Sequence, residues 1–327
     1  MTHDARTGLA LAVGSSLAFA LSGSLARGLF DAGWSPGAVA LIRIAIGALV
    51  VLPWGIVSLA GQWGVVRRNA ALLLTYGALA VAGAQYCYFA AVQRMDVGPA
   101  LLIEYTAPAA VVGWMWARHG QRPGRLTVAG AVLAAGGLVL VLDLVGGVSL
   151  DGAGVAWALA AMVGCATYFI VIGKDSTGLP PLALAAGGLV VGAVGLGVLA
   201  LTGVLPLSAN TRDVRLADAT VAWWTPLLLL GVVTAGFAYV VGVIAGRRLG
   251  SRLTSFVSLL EVVAAVVFAW LLLDQVPGRM QVAGGALILL GVVAVRAGEA
   301  SGSPGGPSSA VDADRGLVPH PDAAAVS

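Results

Sequence analysis

Long apolar runs alternate with short polar joints along the whole chain. Ten runs are about as long as a helix must be to cross the hydrocarbon core of a bilayer, roughly 20 mostly apolar residues. They cover 8–28, 37–60, 70–92, 97–117, 125–143, 152–172, 182–203, 223–246, 252–273 and 279–296. Joints such as "DAGWSPG", "GQWGVVRRN", "RHGQRPG" and "LDQVPGR" supply the glycine, proline and charge that end helices. The pattern predicts an all-α membrane protein with ten transmembrane helices.

Composition agrees. Of 327 residues, 59% are hydrophobic and 10% charged, where a soluble domain carries about 25% charged residues. The mean hydropathy is +0.95. A net charge of +3 without a dense basic cluster excludes nucleic acid as a partner. Lipid is the principal surrounding. Cys87 and Cys165 lie within apolar runs at no metal-ligand spacing, and are read as small buried hydrophobes. The first run mimics a secretory signal. It is expected to stay as a span, because it is long enough and similar runs follow. Residues 1–7 form a short cytoplasmic N-terminus, and 297–327, rich in Gly, Ser, Pro and Ala, a disordered cytoplasmic tail.

An even number of spans puts both termini on one side. With that side cytoplasmic, 12 of the 18 basic residues fall on it, among them Arg67, Arg68, Arg118, Arg247 and Arg248, against 5 outside. This is the asymmetry of a protein oriented by its positive loops. All nine tryptophans fall near span ends or in joints, as expected of a headgroup belt.

The chain repeats itself. "PGRLTVAGAVLAAGGLVLVL" (123–142) and "PGRMQVAGGALILLGVVAVR" (277–296) match at ten of twenty positions without a gap. The repeats are therefore 8–143 and 152–296, five spans each. An odd number of spans inserts the second repeat upside down relative to the first. Inverted repeats place a substrate between two halves near the midplane, in a central cavity.

Three charges lie well inside spans: Arg43, Glu104 and Glu261. Each costs roughly 2.5–3.5 kcal/mol at the bilayer centre on insertion scales, so such residues face a cavity or a partner. Arg43 and Glu104 sit at similar depth below the outer surface, which allows an ion pair. Ser251, Thr254, Ser255, Ser258 and Glu261 fall at helical spacing and form one polar face. Gln85, Tyr86 and Tyr88 in the third span, and Tyr105 and Thr106 in the fourth, add hydrogen-bonding groups. Pro108 breaks the fourth span one turn after Glu104 and frees a carbonyl. The expected substrate path is Arg43, Gln85, Tyr86, Tyr88, Glu104, Tyr105, Thr106, Pro108, Thr254, Ser258 and Glu261. Because desolvation favours the neutral form of a carboxyl group, Glu104 and Glu261 are the candidates for proton coupling.

Together these features resemble the drug/metabolite transporter superfamily, in its ten-helix EamA type, over about residues 8–296. The marks are the doubled five-span plan, "LIR" with Arg43, and the repeat ends. "IEYTAPAAVV" and "VSLLEVVAAVV" are similar to segments of the threonine and homoserine exporter branch. The family often has proline after the second glutamate, where this chain has Val262. It often ends spans four and nine with Gly-Glu, where this chain has "ARHGQ" and "LLDQ". The resemblance implies an inner-membrane exporter of amino acids or related metabolites.

Other classes fit less well. The only lysine, Lys174 in "VIGKDST", lacks the upstream glycine and the following hydroxyl of a phosphate-binding loop, so no ATP-binding machinery is expected in this chain. His3, His119 and His320 lie outside the spans and no aspartate lies deep within one, which argues against an intramembrane enzyme. No cofactor is expected. A passive channel for small metabolites is the alternative. The reading is a secondary active exporter with alternating access and protons as the coupling ion.

Overall fold

The structure, a computed structural model, describes residues 3–107, 124–141, 151–172 and 178–302. Helix α1 (His3–Asp31) is followed by α2 (Pro36–Leu59), a short α3 (Trp63–Arg68), α4 (Ala70–Val92) and α5 (Val97–Glu104). After α6 (Arg125–Val141) come α7 (Gly152–Ile172), α8 (Pro181–Leu201), α9 (224–257), α10 (Leu259–Leu273) and α11 (Arg279–Gly302). Among the described residues, six helices are long and apolar enough to cross a membrane, and three shorter apolar ones accompany them. The local signals are those of ordinary helix ends. Ser35 caps α2 by accepting from the Ala38 N–H at 3.2 Å, with Pro36 at the first turn. Asp151 starts α7 by accepting from the N–H groups of Ala153 and Gly154.

Several expectations are corrected in detail. The chain between α8 and α9 holds a two-stranded hairpin, so the structure is not wholly helical: β1 (Val214–Leu216) pairs antiparallel with β2 (Ala219–Val221). The hairpin docks because Gly28 leaves room on α1 for Val214 and Leu216, and because the Ala217 N–H donates to Leu272 O at 2.7 Å. The joint expected at 247–251 is helical. The break falls at Ser258 instead, so Thr254 and Glu261 belong to successive helices, α9 and α10, rather than to one polar face. The last helix runs six residues past 296, to Gly302. The tail beyond it, with Pro108, Trp114, Trp116 and the second half of the expected fourth span, lies outside the described residues.

Helix packing repeats the sequence repeat. The matching segments are offset by 277 − 123 = 154 residues, so Gly130 corresponds to Gly284 and Gly137 to Gly291. In space the pairs are exchanged. A methyl at Gly130 would lie 2.6 Å from Gly291 O, one at Gly291 2.5 Å from Gly130 O, and one at Gly137 2.5 Å from Gly284 O. As α6 advances, its contacts on α11 recede, so these two equivalent helices run antiparallel. The exchange of partners is the self-complementary pattern of a two-fold. Small residues let the backbones touch, which is how helices gain packing energy where the surroundings are as apolar as the side chains.

The same exchange recurs elsewhere. α4 and α9 each contain π-helical turns, Tyr76–Gly83 and Leu229–Phe237, at positions again 154 apart to within one residue. A methyl at Gly47 of α2 would meet Ala235, Gly231 O and Gly236 N. One at Gly192 of α8 would meet the corresponding Val81, Gly77 O and Ala82 N.

Candidate substrate cavity

Glu104 ends α5 and Glu261 opens α10, and both line one cavity of about 70 Å³. Its walls come from both repeats: Ser15, Ser16 and Phe19 from α1, Ala80, Ala84 and Gln85 from α4, Tyr168 and Phe169 from α7, and Tyr239 and Gly242 from α9. Glu104 is almost wholly buried and, among the described residues, accepts no hydrogen bond. Glu261 accepts from the Tyr105 hydroxyl at 2.6 Å. Aromatic rings surround the acids. Tyr239 meets Phe19 edge-on at 5.0 Å and Tyr168 at 6.0 Å, while Phe169 meets Tyr168 at 5.4 Å. Among the described residues, the lining holds two carboxyl groups and no basic side chain.

Arg43 stands behind the cavity wall. It is fully buried, donates from Nη1 to Gln85 Oε1, and donates from Nη2 to Thr234 O at 2.6 Å. Its guanidinium lies 5.3 Å from the centre of the Phe89 ring, and its Nε has no acceptor. The Arg43–Glu104 ion pair that similar depth allows is not formed; among the described residues the ion pairs are Arg27–Asp31 and Arg94–Asp151. The reason is local. The Gln85 side chain reaches Arg43 with its oxygen and donates from Nε2 to Tyr239 Oη at 3.2 Å, so it occupies the guanidinium first.

The cavity thus gathers Gln85, Glu104, Tyr105, Thr254, Ser258 and Glu261 of the expected substrate path. Tyr88 packs instead against Gly23 of α1, and Tyr86 lies edge-on to Trp157. The Thr106 hydroxyl donates back to Ile103 O at 2.7 Å. Sequence reasoning missed Ser15, Ser16, Phe19, Tyr168, Phe169 and Tyr239. One signal was available for Tyr239: shifted by 154, Gln85 falls on it, and the two equivalents touch.

Residues 6–143 and 152–297 each match the EamA-like transporter family. The chain belongs to that family. This EamA-like transporter is 27% identical over 282 residues, 84% of its length and 85% of the relative's, to "Threonine/homoserine exporter RhtA" of Salmonella typhimurium. It is 30% identical over 154 residues, 43% of its length and 47% of the relative's, to the protein of the same name from Escherichia coli. A solved crystal structure shares its fold with a TM-score of 0.60 at 20% identity, over 90% of this chain and 99% of that one. The chain is a multi-pass inner-membrane protein of the transporter class.

Proposed function

We propose that this EamA-like transporter is a secondary active exporter of small amino acids and related metabolites, working by alternating access with protons as the coupling ion. The observation that carries the reading is the pairing of Glu104 and Glu261 in one cavity walled by both repeats. Two acids removed from water are costly unless they exchange a proton or hold a cation. The relatives named as threonine and homoserine exporters support amino acids as the substrate class. Ten spans in two inverted sets of five, with both termini cytoplasmic, are supported by the antiparallel glycine contacts of α6 and α11 and by the 12-to-5 distribution of basic residues.

Purified protein in liposomes, with threonine, homoserine and a wider amino-acid panel under an imposed pH gradient, tests the proposal. The expected result is saturable, gradient-driven flux with exchange of labelled for unlabelled amino acid. Flux that rises linearly with concentration and ignores the pH gradient belongs to a channel, and would reject the exporter.

A further inference from the structure

We propose that Arg43 is the specificity-determining residue that holds the carboxylate of a zwitterionic substrate, with the Gln85 amide oxygen yielding its place to a carboxylate oxygen. This rests on the amino-acid reading above and names the chemistry by which that cavity selects.

The first argument is charge. A guanidinium carries five N–H donors and no acceptor. Among the described residues, the wholly buried Arg43 has neutral acceptors only, the Gln85 side chain and the Thr234 carbonyl, and its Nε has none. A buried cation with no carboxylate in hydrogen-bond contact is unfavourable, even with acids at longer range. Arginine is suited to a planar two-oxygen partner. An amide oxygen matches one oxygen of such a partner in shape and lacks its charge.

The second argument is position. Gln85 lines the cavity and touches Arg43 directly, so its side chain stands between the guanidinium and the cavity. Glu104 and Glu261 lie within electrostatic reach of Arg43. Phe19, Tyr168 and Tyr239 line the same cavity as the acids, and aromatic rings suit an ammonium group. The site therefore has acids and rings for the positive end of a substrate and one arginine for its negative end.

The third argument is symmetry. The contacts of Gly47 and Gly192 make α2 and α8 equivalent with an offset of 192 − 47 = 145, so the counterpart of Arg43 is Gly188. There the fold fills the equivalent space with the Tyr76 ring, 2.4 Å from where a methyl on Gly188 would lie. One repeat closes this position with an aromatic ring, so packing alone does not require a cation at its mate.

The test is binding to purified protein in lipid nanodiscs, using threonine against 1-amino-2-propanol and homoserine against 3-amino-1-propanol. Each amine lacks only the carboxylate. Wild-type protein is expected to prefer the amino acid at least about tenfold, the lower range for a hydrogen bond to a buried charge. Arg43→Gln should collapse that preference to within about twofold, and Arg43→Lys should restore part of it. Gln85→Glu, which sets a carboxylate on Arg43, should likewise abolish the preference, and serves as the second route if Arg43→Gln fails to fold. An unchanged preference in a folded Arg43 variant, or in Gln85→Glu, overturns this inference while leaving amino-acid transport intact. Wild-type protein that binds the amines and no amino acid overturns both readings.

Discussion

Glu261 differs from Glu104 by one hydrogen bond. The Tyr105 hydroxyl donates to Glu261, and Glu104 has no such donor among the described residues. Two neighbouring acids with unequal partners are expected to divide the labour. Glu104→Gln and Glu261→Gln should each reduce pH-gradient-driven flux by tenfold or more, and the double variant should abolish it. Coupled flux that survives the double substitution would end the proton assignment. Tyr105→Phe removes only the donor and should weaken transport by a smaller factor, about threefold to tenfold for one hydrogen bond of roughly 1 kcal/mol. At this scale Glu104, Glu261 and Gln85 were legible because polar residues inside apolar runs stand out. Tyr168 and Phe169 were not, because an aromatic residue in a span reads equally well as packing.

At the scale of elements, the glycines fall into two kinds. Gly291 sits where a methyl would lie 2.5 Å from the Gly130 carbonyl and 2.6 Å from Ala134 N, both backbone atoms that cannot step aside. Gly195 has nothing within 4 Å. Gly291→Ala should therefore destabilise by about 1–3 kcal/mol, the usual range for overpacking, read as a fall in the melting temperature of detergent-solubilised protein. Gly195→Ala should be neutral or stabilise by up to about 1 kcal/mol, the helix-propensity gain. Equal effects from the two would show that the close α6–α11 crossing is not formed. The six long apolar helices were readable from apolar length alone. The Ser258 break was not, since 252–273 reads as one apolar run and nothing in it resembles a stop signal.

At the scale of the molecule, an exposed ion pair ties the two halves together at the end that the proposed topology places outside. Arg94 Nη1 and Asp151 Oδ2 meet at 3.1 Å, joining the two repeats there, and the Val97 N–H donates to Gln275 Oε1 nearby. The Arg94 counterpart by the 154-residue shift is Arg248, which is exposed at the opposite end of the bundle. The hydrogen bond from Arg94 is the main cause holding the Asp151 carboxyl below its usual value, with the Gly154 and Ala153 N–H groups adding to it. A depressed carboxyl stabilises the closed pair above its unfolded value and loses that effect only as pH falls through the depressed one. The latch should thus be constant from about pH 5 upward, above the ordinary aspartate range near 3.9. Asp151→Asn should loosen it. In a Cys87→Ser background, labelling of the cavity residue Cys165 by an impermeant thiol reagent from outside should rise up to about fivefold, as expected for an exposed pair. No rise would show that this pair does not gate the outer side.

Apolar run length, basic-residue asymmetry and the Pro-Gly-Arg repeat were sufficient to derive a helical membrane protein of two related halves. Those properties depend on local composition and on chain order, which a sequence carries directly. The partner of Arg43 was decided only in three dimensions. Depth along a helix places Arg43 beside Glu104, but rotation about the helix axis and the reach of one neighbouring amide assign it to Gln85 and Thr234. Side-chain pairing inside a bundle is set by which faces meet, and that is a property of packing between helices, not of any one of them.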